Sequence, residues 1–279
     1  RRTAARRCSG GALAFRTAGY GTPVLIGREA RIAATLKELG LPADHGLEIH
    51  GTRRGEEPED YIEFLYGRLQ RKGALVRDCQ RMISQQRNVF AACMVALGDA
   101  DAMVTGQTRA FPVCFDDISR ALDPKPGAEL FGLSIVVAQG RTVFIADTAV
   151  NERPNGGQLA DIAVQCAAKA RALGHEPRVA FLSYANFGNP PGALASQVRD
   201  AVALLDDRDT DFEYDGEMAA DVALDTDLRS IYPFNRLSGP ANVLVMPGLH
   251  AASISSKILQ KMGGGSVIGP LLIGMEHSV

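Results

Sequence analysis

Ser183, Tyr184, Asn186, Gly188 and Asn189 stand close together in the run SYANFGNPPG, residues 183–192. A hydroxyl and two amides can hold a polar ligand group through hydrogen bonds, and a glycine lets the backbone approach it. The same composition also suits an ordinary strand-to-helix connection, since paired Asn, Gly and Pro continue neither strand nor helix. A second set is Glu213, Asp215 and Glu217. Acids this close could do acid–base work. With a helix expected over residues 218–224, Asp215 and Glu217 are instead assigned to capping and charging its start. The third set is basic: Arg68, Arg71, Lys72, Arg77, Arg81 and Arg87. It reads as a solvated helix face or as a wall for an anion. Gln107, Thr108 and Arg109 follow the apolar run 102–106, which includes Thr105, and sit where a ligand loop would be. His250 reads as a turn or packing residue. Ser253, Ser255, Ser256 and Lys257 could hold an anion near a helix start.

The elements around these residues alternate. Residues 179–182, VAFL, form an uncharged run of the kind that is covered on both faces of a sheet. Helical segments 158–173 and 193–205 flank it. In open α/β sheets ligands sit at the carboxyl ends of strands, where such loops gather. Upstream, 22–27 reads as a strand, 28–39 as an amphipathic helix stopped by Gly40, and 47–50 as a strand. Residues 56–69 start acidic with Pro58 in the first turn and form a helix. A second helix is expected to run unbroken over 75–97, and another over 118–122. Residues 1–10 look like neither strand nor helix, and 11–18 could be a short helix. Residues 123–127, DPKPG, are the best linker in the chain. Beyond it, 130–138 and 142–146 flank a hairpin turn. Residues 242–246 and 267–273 read as strands, and 251–262 as a helix.

The 279 residues suffice for one large or two modest domains. With 46% apolar residues the chain can bury a core. Thirty basic residues against 32 acidic give no support for a nucleic-acid surface. No apolar run approaches the length of a membrane span, and no secretory signal is visible. Five scattered cysteines with no CxxC or Cys/His spacing suggest neither zinc nor a disulfide framework. A reduced, cytoplasmic setting is the expectation. No dinucleotide glycine fingerprint, phosphate-binding lysine loop, nucleophile elbow or H-E-x-x-H occurs.

Several blocks together resemble the phosphate acetyltransferase family. They are DADAMVTG at 99–106, FIADTAVNERP at 144–154, the stretch 159–188, DFEYDGEMAADVAL at 211–224, and the stretch 239–274. More closely they resemble the phosphotransacetylase-like C-terminal domain of bacterial multidomain NADP-dependent malic enzymes. RLQRKG at 68–73 and RDCQRMI at 77–83 also resemble that branch. The resemblance covers roughly residues 20–279, and residues 1–19 depart from it.

This resemblance implies two three-layer α/β domains with a cleft between them, an isocitrate dehydrogenase-like arrangement. The first would be 1–127, with 271–279 returning to it. The second, 128–270, would carry a homodimer contact, helped by small-residue faces on 158–173 and 251–262. The Asn-Asp-Leu-Ser-Arg-Gly segment of true acetyltransferases is not matched by GMEHSV at 274–279. Two family arginines fall on Leu69 and Asp116 here. No residue is therefore assigned a catalytic role and none a metal. The implied function is a regulatory acetyl-CoA-binding domain, with acetyl-CoA or CoA as ligand. NADP and a divalent metal would serve only a malic-enzyme domain outside these residues. The implied ligand set is Arg68, Arg71, Thr105, Arg109, Ser183, Tyr184, Asn186 and Gly188. The alternatives are a phosphate acetyltransferase cut short at its C-terminus and a purely structural oligomerisation domain.

Overall fold

The computed structural model describes residues 2–40, 46–51, 58–106 and 108–279, with side chains from residue 6 on. The chain forms two compact units, Arg1–Asp123 with His277–Val279, and Pro124–Glu276. The division falls between Asp123 and Pro124, within the DPKPG segment. Leu271–Ile273 do not return to the first unit. They pair with a strand of the second, and only the last three residues go back.

The first unit opens with helix α1 (Arg2–Thr17), not with an irregular tail. Arginine and alanine are among the best helix formers, and they outweigh Gly10 and Gly11. Arg6 ties α1 to Glu38 at the end of α2 (Glu29–Glu38) at 3.0 Å. Strands β1 (Val24–Ile26) and β2 (Glu48–His50) make a two-stranded parallel sheet. Helix α3 (Glu59–Leu69) begins after Pro58, so the acidic start expected at Glu56 lies outside the described residues. Tyr61, Leu65 and Leu69 of α3 are buried, and the Tyr61 ring tilts against Phe90 at 5.3 Å.

The long helix expected over 75–97 is two helices, α4 (Val76–Gln85) and α5 (Arg87–Leu97). The break is at Gln86, whose backbone is extended and whose side chain accepts from Arg120 at 2.7 Å. No glycine or proline marks it. Helix α6 (Phe111–Ser119) starts well before the expected 118, with Pro112 in its first turn. The apolar run 102–106 is not a strand. Ala102 makes one bridge to Ser278, and Val104 is fully exposed.

In the second unit six strands line up as β6-β5-β7-β4-β3-β8. They are β3 (Phe131–Ala138), β4 (Arg141–Ala146), β5 (Arg178–Leu182), β6 (Glu213–Met218), β7 (Val243–Val245) and β8 (Ser266–Ile273). The first four in that order run parallel, and β3 is antiparallel to both its neighbours. The β3–β4 hairpin turns on Gln139 and Gly140, both at positive φ (50° and 71°), as a two-residue turn between twisted strands requires. Helices α7 (Gly156–Ala172) and α8 (Ala193–Asp206) cover one face. Short helices α9 (Ala220–Leu224) and α10 (Thr226–Arg229) follow β6. The other face is covered from α9 and from α11 (Leu249–Met262), which carries Ala252 into its core. This is the α/β class expected. The small face of α7, with Ala160, Ala163, Ala167 and Ala170, is spent inside this core rather than left for a second copy.

Four of the five cysteines are buried: Cys79, Cys93 and Cys114 in the first unit and Cys166 on α7 in the second. Burial pushes the Cys93 thiol up to about 12 and the Cys166 thiol well above its usual range.

Where β4 ends, the buried carboxylate of Asp147 accepts from the backbone N–H groups of Gly132 (2.8 Å), Ala149 (2.7 Å), Val150 (3.0 Å) and Asn151 (2.5 Å). It also takes the Asn151 side-chain amide at 2.9 Å. Removing it strands several donors without water, a penalty of about 1–3 kcal/mol for one such group alone. Asp147→Ala is expected to lose at least about 3 kcal/mol, read as a lower urea midpoint with an unchanged slope.

Candidate functional site

In the first unit the end of α3, the second half of α4 and helix α6 line an open pocket of about 490 Å³. Lys72, Arg81, Arg120, Asp116, Gln86 and Leu69 are in its wall. The turn Gln70–Lys72, a short 3-10 stretch closing α3, brings Lys72 there, and Gly73 at φ 88° lets the chain reverse into α4. Arg120 is held on two sides, by Asp116 at 2.6 Å and Gln86 at 2.7 Å. Arg81 pairs with Asp78 at 3.0 Å, and Asp78 also accepts the Leu75 N–H that opens α4. The break at Gln86 thus has a use: extended backbone turns its side chain toward the cavity and Arg120. Sequence reasoning missed Arg120 and the role of Gln86, since no local signal marks either.

The four first-unit residues of the expected ligand set divide into two places. Arg68, on the last turn of α3, donates to Asp123 at 2.7 Å and to the Arg120 carbonyl at 3.2 Å, with its guanidinium 5.7 Å from the Phe64 ring centre. The hydrogen bond from Arg68 holds the Asp123 carboxyl below its ordinary range. Arg71 is exposed on the turn after α3. Thr105 and Arg109 meet through a shared hub. Thr105 donates to Asn88 at 2.7 Å, Asn88 donates to Asp117 at 3.0 Å, and Arg109 donates to the same Asp117 oxygen at 2.9 Å. Asp117 is buried on α6. Gln107 lies outside the described residues.

The second-unit residues of the set share one loop, and that loop is fastened to the end of β6. Ser183 N–H donates to the Met218 carbonyl at 2.9 Å, and its hydroxyl accepts from Ala185 N–H at 3.3 Å. Asn186 Oδ1 accepts from Ala219 N–H at 2.7 Å. Phe187 N–H meets the Glu217 carbonyl, and Gly188 N–H meets Glu217 Oε1, both at 2.8 Å. Phe187 sits at φ 50°, a cost for a bulky residue. Its ring packs against Tyr232 (5.1 Å) and Phe234 (4.9 Å). Tyr184 is exposed, with its hydroxyl laid where Gly192 has no side chain.

The acids of β6 differ from their expected role. Asp215 and Glu217 are interior strand residues, buried, and the next helix begins only at Ala220. Asp215 accepts from the Arg236 N–H at 2.8 Å, and burial raises its carboxyl above the usual range. They brace loops; they do not cap a helix. On α11 the serine hydroxyls are also occupied. Ser255 and Ser256 donate to carbonyls of their own helix, and Ser253 accepts from Lys257 at 2.7 Å. His250 is exposed. Among the described residues no cluster of His, Cys, Asp and Glu is placed to hold a metal, and no helix is long and apolar enough to cross a membrane.

Asp117→Ala would leave Asn88 and the Arg109 guanidinium without their acceptor. A loss of about 2 kcal/mol in chemical denaturation is expected, whereas Asp116→Ala, at an exposed position, should cost under about 1 kcal/mol.

The family model for phosphate acetyl/butaryl transferase matches residues 6–279. The NADP-dependent malic enzyme of Rhizobium meliloti is 53% identical over 269 residues, 96% of this chain and 35% of that protein. The chain thus spans about a third of the malic enzymes it matches. The phosphate acetyltransferase of Bacillus subtilis is 30% identical over 92% of this chain and 79% of its own length. A phosphotransacetylase from Streptococcus pyogenes superposes with a TM-score of 0.86 at 26% identity, over 98% of this chain and 84% of that one. Across nearly all of its length, in sequence and in fold alike, the chain belongs to the phosphate acetyl/butaryl transferase family.

Proposed function

We propose that this chain is an acetyl-CoA-binding regulatory domain of a bacterial NADP-dependent malic enzyme, and that it binds its ligand without transferring the acetyl group. The observation that carries the reading is the wall of the first-unit cavity. Leu69 and Asp116, the two positions where the resemblance expects arginines, both line it. An apolar residue and an acid there cannot neutralise the negative charge of an acyl phosphate and of the phosphate that leaves as its acetyl group passes to the thiol, and losing such cations costs several kcal/mol of transition-state stabilisation. Lys72, Arg81 and Arg120 remain, and cations of this kind suit the phosphates of CoA. The relatives named malic enzymes support the parent activity, in which malate would be oxidised by a domain outside these residues using NADP and a divalent metal. Titration of the chain with acetyl-CoA is expected to give saturable binding. A coupled assay with acetyl phosphate and CoA is expected to give no turnover above background. Clear turnover would favour an active acetyltransferase, and no binding at millimolar ligand a purely structural role.

The assembly proposed with it is a twofold homodimer of the second unit. Ile254, Ile258, Leu259 and Met262 make an exposed apolar stripe on α11, and Met262 is 83% exposed. Strand β8 is an edge of the sheet, with Ile268 half exposed on it. An uncovered stripe beside an open strand edge is what a second copy would cover. Sedimentation is expected to give twice the 29.8 kDa chain mass. The double variant Ile258→Asp, Met262→Asp should sediment as the single chain with its fold intact.

A further inference from the structure

Glu217 is wholly buried on β6, yet only one of its carboxylate oxygens is fully used. Oε1 accepts from Gly188 N–H at 2.8 Å. Oε2 has no hydrogen bond, and the cation facing it is Arg199 of α8, with Nε 3.4 Å away. The Arg199 side chain is 46% exposed. Its Nη2 donates to Ser196 Oγ at 3.2 Å, while Nη1 lies 3.3 Å from where a Cβ of residue 188 would be. Among the described residues Nη1 has no acceptor. The guanidinium is therefore steered from behind by a buried charge and from one side by a hydroxyl. It rests over Gly188, which carries no side chain, with its remaining edge toward solvent.

A pairing whose whole task was to neutralise Glu217 would close to a two-point hydrogen-bonded contact near 2.8 Å. This one stops short of that and leaves donors unspent. The geometry points to Arg199 as an anion-gripping residue of the second unit, positioned over Gly188 by Glu217, for a phosphate group of the ligand. The inference rests on the acetyl-CoA reading and concerns the second unit by itself, where the contact lies on the loop that carries Ser183, Tyr184 and Asn186. The loop's own N–H groups from Ser183, Ala185, Asn186, Phe187, Gly188 and Asn189 are all occupied within the protein. Gly188, at φ 96°, keeps the guanidinium's place clear.

The test titrates acetyl-CoA and inorganic pyrophosphate separately into the parent, Arg199→Gln and Arg199→Lys, with urea unfolding of each. Arg199→Gln is expected to weaken both ligands at least about tenfold, the loss of one charge-assisted contact. Arg199→Lys should recover only part, because a point charge cannot grip at two places. If Arg199→Gln unfolds, the pair Glu217→Gln with Arg199→Gln removes both charges together and must show the same loss of binding. Parent-like binding by the glutamine variant, whatever its stability, would reduce Arg199 to a neutraliser of Glu217 and overturn the proposal. So would a parent that binds neither ligand. Arg199-dependent binding of pyrophosphate without any of acetyl-CoA would uphold this contact and sink the acetyl-CoA reading.

Discussion

A strand that ends beneath helices leaves the N–H groups of its following turn away from water, and something must accept them. In the second unit several of those acceptors are carboxylates. Asp147 gathers the turn after β4 and ties it to Gly132 at the start of β3. Glu217 gathers the loop after β5. Asp215 accepts from Arg236 N–H in the segment before β7. Each buries a charge, which is costly; Asp147 recovers the cost through several charge-assisted hydrogen bonds, Asp215 through two, and Glu217 through one with Arg199 facing its other oxygen. The loops after β4 and β5 are thus braced by buried acids together with loop side chains such as Asn186.

The same economy governs the first unit. Asp117 is the buried hub for Asn88, and through it Thr105, and for Arg109, while Arg120 is shared between Asp116 and Gln86. Cations held this firmly present a fixed edge to an anion at little further ordering cost. They are also partly neutralised in advance.

Sequence periodicity located most elements because the pattern and the burial agree. The run at β5 is uncharged because both sheet faces are covered, and the turn at Gln139-Gly140 is set by hairpin twist. What stayed illegible is tertiary. Gln86 breaks a helix because Arg120, far along the chain, bonds its side chain. The run 102–106 has strand-like residues but one bridging partner, and pairing rather than propensity makes a strand. Asp215 and Glu217 look like helix-start acids in one dimension. Only the register of β6 against β5 reveals them as interior. Of the ligand set, the grouping of Ser183, Tyr184, Asn186 and Gly188 on one loop was readable from their adjacency. The meeting of Thr105 and Arg109 at Asp117 was not, since neither bonds the other.

The buried thiols give each unit its own clock. A thiol reagent attacks thiolate, and a thiol that must lose its proton inside an apolar core is silent until that core opens. Cys79, Cys93 and Cys114 sit in one unit and Cys166 alone in the other. The rate at which Cys166 becomes modified therefore times the opening of α7 from the sheet, and the other three time their own helices. Under native conditions the two rates would separate the breathing of one half from that of the other, and any ligand that steadies a single half would slow only its own cysteines.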